Sequence, residues 1–288
     1  MASERASLRA YDGLELALYR WRVGEPRAVC LLVHGYAEHA GRHHALTEAL
    51  TGLGVETFAI DLRGHGRSGG TRADVRDFGD YVADVASLRE YVAAERPGLT
   101  AFVFGHSVGG TVALRFALEH PEALNALVLS APFLRPSVPP PGWLLAVAGM
   151  LARTLPGLPV QPLDAHVLSR DASVVAAYRS DPLVYTGRVK ARMGNFLVSE
   201  GPPLVGRAGE LQMPVLILHG AADALADPRA SEELAAALPP DRVSLKLYPG
   251  SFHEILNDLD GERVLADIVG WLSSRLAVSP GARGTPGT

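Results

Sequence analysis

An α/β fold, with a mostly parallel central sheet covered by helices on both faces, is what this sequence predicts, and three observations predict it. From Leu14 to Leu276, short apolar runs of strand length alternate with longer stretches of helical spacing. Runs such as Ala28 to Val33 and Ala101 to Phe104 are apolar almost without interruption, as strands covered on both faces must be. Between the second of these and a helical stretch lies Gly105-His106-Ser107-Val108-Gly109-Gly110, a serine between glycines at a strand-to-helix turn.

Taken in order, Leu14 to Val23 and Ala28 to Val33 read as opening strands joined by a turn at Gly24-Glu25-Pro26. Ala45 to Leu53 reads as a helix and Val55 to Ile60 as a strand. Tyr81 to Glu95 places Val82, Val85, Leu88 and Val92 on one helical face, and Pro97-Gly98 ends it. The strand before Ser107 and the helix Thr111 to Leu118 follow. Ala126 to Leu129, Val215 to Leu218 and Val243 to Leu247 are further strands, with helices at Pro228 to Ala237 and Gly261 to Leu276.

One region breaks the alternation. Between Pro132 and Met213 no strand-like run occurs and prolines are dense, a length too great for an ordinary connection. We read 133–212 as an inserted helical cap over the open end of the sheet. It divides the core into 1–132 and 213–278, and a Gly- and Pro-rich tail, 279–288, is expected to be disordered. Within the cap, Trp143 to Leu155 is almost uniformly apolar but too short to span a bilayer. Two readings of it stay open: a helix buried against the main domain, or a surface that faces lipid.

Composition narrows the function classes. The hydrophobic fraction of 48% suits a packed core in a chain of 288 residues. Lys+Arg 27 against Asp+Glu 31 leaves no basic surplus, so nucleic acid is not an expected partner. Cys30 is the single cysteine and lies in an apolar run, which excludes an internal disulfide and fits a buried thiol in a reducing compartment. The first ten residues lack the apolar core of a signal peptide, and no run reaches the roughly 18 apolar residues of a membrane span. The expected location is cytoplasmic, with a peripheral membrane contact through the cap left open.

The serine turn carries the chemistry. In a nucleophile elbow the serine backbone is strained and side chains at the flanking positions collide, so Gly105 and Gly109 leave the Ser107 hydroxyl exposed at the tip. Such a nucleophile needs a base, and a carboxylate to orient that base, in the chain order Ser, Asp or Glu, His. His253, in Tyr248-Pro249-Gly250-Ser251-Phe252-His253-Glu254 after a strand, is the candidate base. Asp223, in His219-Gly220-Ala221-Ala222-Asp223 at a strand end, is the candidate acid, with Asp227 as its rival. An oxyanion hole needs two backbone donors. Val108, the residue after the nucleophile, supplies one N–H, and Tyr36 supplies the other from the loop His34-Gly35-Tyr36.

Other polar residues have plainer readings. His34 is read as a brace for its loop. His39, His43 and His44 lack zinc-ligand spacing, so no metal is expected, and no cofactor. Asp61 to Gly70 is Gly-rich but is neither a dinucleotide fingerprint nor a P-loop, and is read as a structural loop anchored by Asp61 and Arg63.

Together these segments resemble the monoacylglycerol lipase branch of the α/β-hydrolase superfamily, from about Asp12 to Leu276. His34 to His39 with Arg42 is similar to the family's H-G-x-x-E-H-x-x-R loop, Asp61 to Gly70 to its D-x-x-G-H-G-x-S-x-G loop, and Gly105 to Gly110 to its G-H-S-M-G-G elbow. Val108 stands in place of the usual methionine, and His43 where tyrosine is common. The resemblance implies an α/β-hydrolase fold and the same catalytic and oxyanion residues. It further implies that Glu38 and Arg42 shape the polar end of a substrate pocket near glycerol. The expected reaction is hydrolysis of a monoacylglycerol to fatty acid and glycerol, with the apolar cap, Trp143 and Leu144 included, holding the acyl chain. Lysophospholipase, carboxylesterase or peptidase activity is the rival within the same chemistry, and a non-catalytic scaffold is the rival outside it.

Overall fold

A computed structural model describes residues 3–276. The sheet has eight strands: β1 (Glu4–Arg9), β2 (Glu15–Trp21), β3 (Ala28–Val33), β4 (Val55–Ile60), β5 (Thr100–His106), β6 (Ala126–Ser130), and, beyond an insertion that holds β7 (Pro159–Gln161) and β8 (Val189–Lys190), β9 (Val215–Gly220) and β10 (Val243–Tyr248). Their order is β1-β2-β4-β3-β5-β6-β9-β10. From β4 to β10 all neighbours are parallel, and β1 and β2 pair antiparallel at one edge. β1 was not anticipated. Only Leu8 of its six residues is buried, so it carries no apolar pattern, and its pairing with β2 holds it in the sheet.

Period-two alternation sorts the strand residues between two cores. Val29, Leu31 and Val33 of β3 face α2 (Gly79–Glu95), α3 (Val108–Glu119) and α8 (Pro228–Ala236). Cys30 and Leu32 face α1 (His44–Gly52) and α9 (Gly261–Leu276). Burial drives the Cys30 thiol pKa upward and makes it inert. Helices thus cover both faces, and the C-terminal ends of β3, β5, β6 and β9 converge at one rim, where ligands bind in open α/β sheets.

The insertion between β6 and β9 contains α4 (Gly142–Thr154), α5 (Ala172–Ser180), α6 (Ala191–Ser199) and α7 (Gly201–Gly206). It also contains the short antiparallel pair β7–β8, where no strand was expected; two- and three-residue strands are too short to show a period. Hydrogen bonds tie it to the core: Tyr185 N–H donates to Ala37 O at 2.8 Å, and His39 meets Asp181 at 2.9 Å. α4 packs on α6, yet none of its residues is buried; Trp143 is 69% and Met150 56% exposed. No helix among the described residues is long and apolar enough to cross a membrane. The expected disordered tail, 279–288, lies outside the described residues.

Candidate active site

Ser107 sits between β5 and α3 with φ 53° and ψ −121°, a left-handed conformation that costs on the order of 1–3 kcal/mol outside glycine. Its neighbours must be glycine for a steric reason. A Cβ on Gly109 would lie 2.3 Å from the carbonyl oxygens of Val33 and His34, and one on Gly105 would lie 2.5 Å from Gly109 O. The tight crossing of β5, β3 and α3 therefore aims the serine outward, and α3 begins at the following residue.

The hydroxyl meets His253 Nε2 at 2.8 Å, and His253 Nδ1 meets Asp223 Oδ2 at 2.6 Å. All three side chains are buried. Because the carboxylate only accepts, His253 carries its proton on Nδ1 and presents Nε2 as the acceptor for the serine O–H. Burial disfavours the charged imidazole, but Asp223, helped by Glu254 and Glu38, outweighs it, so the His253 pKa is raised. Burial likewise works against the Asp223 carboxylate, and the bonds from His253 and His219 overcome it, leaving its pKa below the ordinary range. The rival Asp227 instead caps α8 and pairs with Arg135 and Arg229.

The loop after β3 is braced from several sides. His34 Nδ1–H donates to Gly35 O at 2.7 Å, and its Nε2 accepts from Leu62 N–H at 2.8 Å. Glu38 accepts from Gly35 N–H at 2.7 Å. Ala37 adopts φ 68°. Among the described residues, neither the Tyr36 nor the Val108 N–H donates to a protein acceptor, and both residues line the cavity in front of Ser107. Asp61 anchors the neighbouring loop, accepting from Ala40 N–H, Arg67 N–H and Tyr19 O–H, while Arg63 pairs with Asp84 and Asp12.

That cavity holds about 400 Å³. Core residues line its floor, among them Tyr36, Ser107, Val108 and His253, and the inserted segment supplies Leu163, Leu168, Tyr178 and Leu197 above. Glu38 reaches the lining, but Arg42 does not, contrary to expectation. Arg42 is withdrawn into a buried ion cluster: bidentate to Glu254 at 2.6 and 2.7 Å, bonded to Glu38 at 3.0 Å, and covered by the Tyr178 ring at 4.7 Å. Trp143 and Leu144 also lie outside the lining. A uniformly apolar helix has no polar face to mark its outside, and α4 is turned to solvent.

Three partners had no role assigned from sequence: His219, Glu254 and His106. The first two adjoin the acid and base motifs, which was the only signal they gave. Burial lowers the His106 pKa to about 4, so its ring, 5.2 Å from that of His253, is neutral. No group of three or more His, Cys, Asp or Glu able to hold a metal occurs among the described residues. His43 is instead bonded to Glu38.

Comparison with known proteins identifies the family and the fold. Residues 24–260 match the family described as serine aminopeptidase, S33. The chain is 39% identical to a monoacylglycerol lipase of Mycolicibacterium smegmatis over 88% of its own length and 90% of the relative's. A crystal structure of the monoacylglycerol lipase of Paleococcus ferrophilus superposes with TM-score 0.80 at 34% identity, covering 89% of this chain and 98% of that one. A soluble variant of the Saccharomyces cerevisiae monoglyceride lipase, in complex with a substrate analog, gives TM-score 0.82 at 26% identity, covering 95% and 96%. The chain has the α/β-hydrolase fold and belongs to the serine aminopeptidase, S33, family of serine hydrolases.

Proposed function

We propose that this protein hydrolyses monoacylglycerols to fatty acid and glycerol through an acyl-enzyme on Ser107. The observation that carries the reading is the continuous hydrogen-bonded chain Ser107–His253–Asp223 opening onto a cavity walled largely by apolar side chains. Monoacylglycerol lipases among the similar proteins supply the substrate class. His253 takes the serine proton as Oγ attacks the ester carbonyl, and Asp223 stabilises the imidazolium. The developing oxyanion is held by the N–H groups of Tyr36 and Val108. His253 then protonates the departing glycerol, and water repeats the sequence to release the acid.

In this reading, residues 133–212 act as a cap that roofs the acyl site. The exposed face of α4, together with Val138 at 80% exposed, rests on the lipid surface from which substrate is drawn. Exposed apolar area of this kind, adjoining the roof of the cavity, favours a peripheral membrane contact. Peptide hydrolysis is disfavoured because Glu38 and Glu254, the buried carboxylates of the lining, are committed to Arg42 instead of a substrate ammonium group.

The test is a panel of monoacylglycerols, lysophospholipids, triacylglycerols and aminoacyl amides with wild type and Ser107→Ala. Monoacylglycerol should lead, and the variant should lose at least about 10⁴-fold in kcat. A lead for lysophospholipid or amide would replace the substrate assignment, and an unimpaired variant would remove Ser107 from the mechanism.

A further inference from the structure

The acid of the Ser107–His253–Asp223 chain serves two imidazoles. Asp223 Oδ1 accepts from the N–H groups of Leu225 and Ala226 at 2.8 and 3.0 Å. Its Oδ2 accepts from His253 Nδ1 at 2.6 Å and from His219 Nε2 at 3.1 Å. With about four acceptor sites, a carboxylate so bonded is saturated, and it is wholly shielded from solvent. His219, on β9, is fully buried, and its other nitrogen lies 2.7 Å from Ser231 Oγ of α8. One tautomer satisfies every partner. Nε2 must bear the proton, because Oδ2 can only accept, and Nδ1 then accepts from the Ser231 hydroxyl.

We propose that His219, its tautomer set by Asp223 and its ring held by Ser231, is a positioning residue that acts on His253 through the shared oxygen of Asp223. The inference rests on the Ser107 mechanism above. A rigid neutral donor on the far side of Oδ2 does two things. It stops the carboxylate from swinging away from His253, and it takes up part of the negative charge that would otherwise fall on Nδ1. The second effect matters for a general base, which works best when its pKa lies near the working pH. With Oδ2 of this desolvated carboxylate left to it alone, His253 would hold its proton more tightly and be idle over more of the neutral range.

The other groups facing His253 do not duplicate this role. Glu254 is its chain neighbour, Glu38 comes from the loop after β3, and both are bonded to Arg42. His43 bonds Glu38, and His106 stands ring to ring with His253. Among the described residues, His219 and His253 are the side chains that bond Asp223.

The experiment measures, against pH, both kcat/KM for p-nitrophenyl butyrate and the rate of Ser107 labelling by a fluorophosphonate. It compares wild type, His219→Leu, which removes the donor, and His219→Gln, whose amide N–H can replace it. In His219→Leu the acid limb should move up by about half to one pH unit, as expected for losing a hydrogen bond to a charged group. At its optimum kcat should fall roughly 5- to 50-fold with KM within about twofold. His219→Gln should return the limb to its wild-type position. Should His219→Leu fail to fold, His219→Met, of similar volume and without a donor, gives the same reading. An unmoved limb in a folded donorless variant overturns the proposal even if activity falls, because that is what a merely structural residue would give. Absence of labelling in wild type would instead overturn the Ser107 mechanism itself.

Discussion

The loops at the C-terminal rim of the sheet and the helix α4 above them solve opposite problems. Around Ser107, polar groups are driven into the interior and nearly all are bonded. Asp223 accepts four hydrogen bonds, Glu38 accepts from Gly35, Arg42 and His43, and Arg42 is clasped by two carboxylates. In α4, apolar groups are left outside: Trp143, Leu144, Leu145, Val147 and Met150 are all exposed. A desolvated ion costs several kcal/mol unless it is paired, so the rim has few tolerable alternatives. An exposed leucine costs little until a partner surface covers it. The rim is therefore where substitution should harm most, and α4 is where harm should depend on what the protein touches.

The largest break in the rim should come from Asp223→Asn, which keeps the shape but removes the charge that stabilises the His253 imidazolium. A fall of about 10⁴-fold in kcat is expected, read from steady-state hydrolysis. Next is Arg42→Met. It strands Glu38 and Glu254 without their cation, and breaking a buried ion pair costs about 3–5 kcal/mol. Thermal or urea melts should show that loss, and a change under about 1 kcal/mol would mean that the cluster is hydrated in solution.

The pH profile probes the same region more gently. The His253 pKa lies above its ordinary 6.5, and the base must be neutral to accept the serine proton. Activity should therefore be absent at low pH and rise through an acid limb centred above 6.5. A limb centred below that value would mean that desolvation outweighs Asp223. On the α4 side, Leu145→Gln/Met150→Gln should alter stability by less than about 0.5 kcal/mol. It should leave hydrolysis of a soluble butyrate ester within about twofold, since neither residue lines the cavity. Co-sedimentation with phosphatidylcholine vesicles should fall, and unchanged co-sedimentation would remove the membrane contact.

Much of the rim was legible before the structure. Gly105 and Gly109 flank the serine because the crossing strands admit no side chain there, and that need shows as a short motif. Strands β3 and β4 were bounded to the residue: complete burial writes β3 as an unbroken apolar run, and in β4 only the buried Glu56 and Thr57 interrupt it. β1 was invisible because one edge strand with a single buried residue has no pattern to display. The outward turn of α4 was undecidable because Trp143 to Leu151 contains no polar side chain to mark which face meets water. Arg42 was placed at the pocket by the family resemblance, and nothing near it in sequence marks its partner Glu254, 212 positions away.

The sequence by itself determined the alternation of strands and helices, the elbow, and the order of Ser107, Asp223 and His253. These follow from the sterics and periodicity of neighbouring residues. Tertiary structure alone decided that His219 shares the oxygen by which Asp223 meets His253, that Arg42 is spent on two glutamates, and that α4 faces outward. Each of these depends on which distant residues the parallel register of β3, β5, β6 and β9 brings to one rim, and on how much water is left there. Contiguous residues carry no record of either.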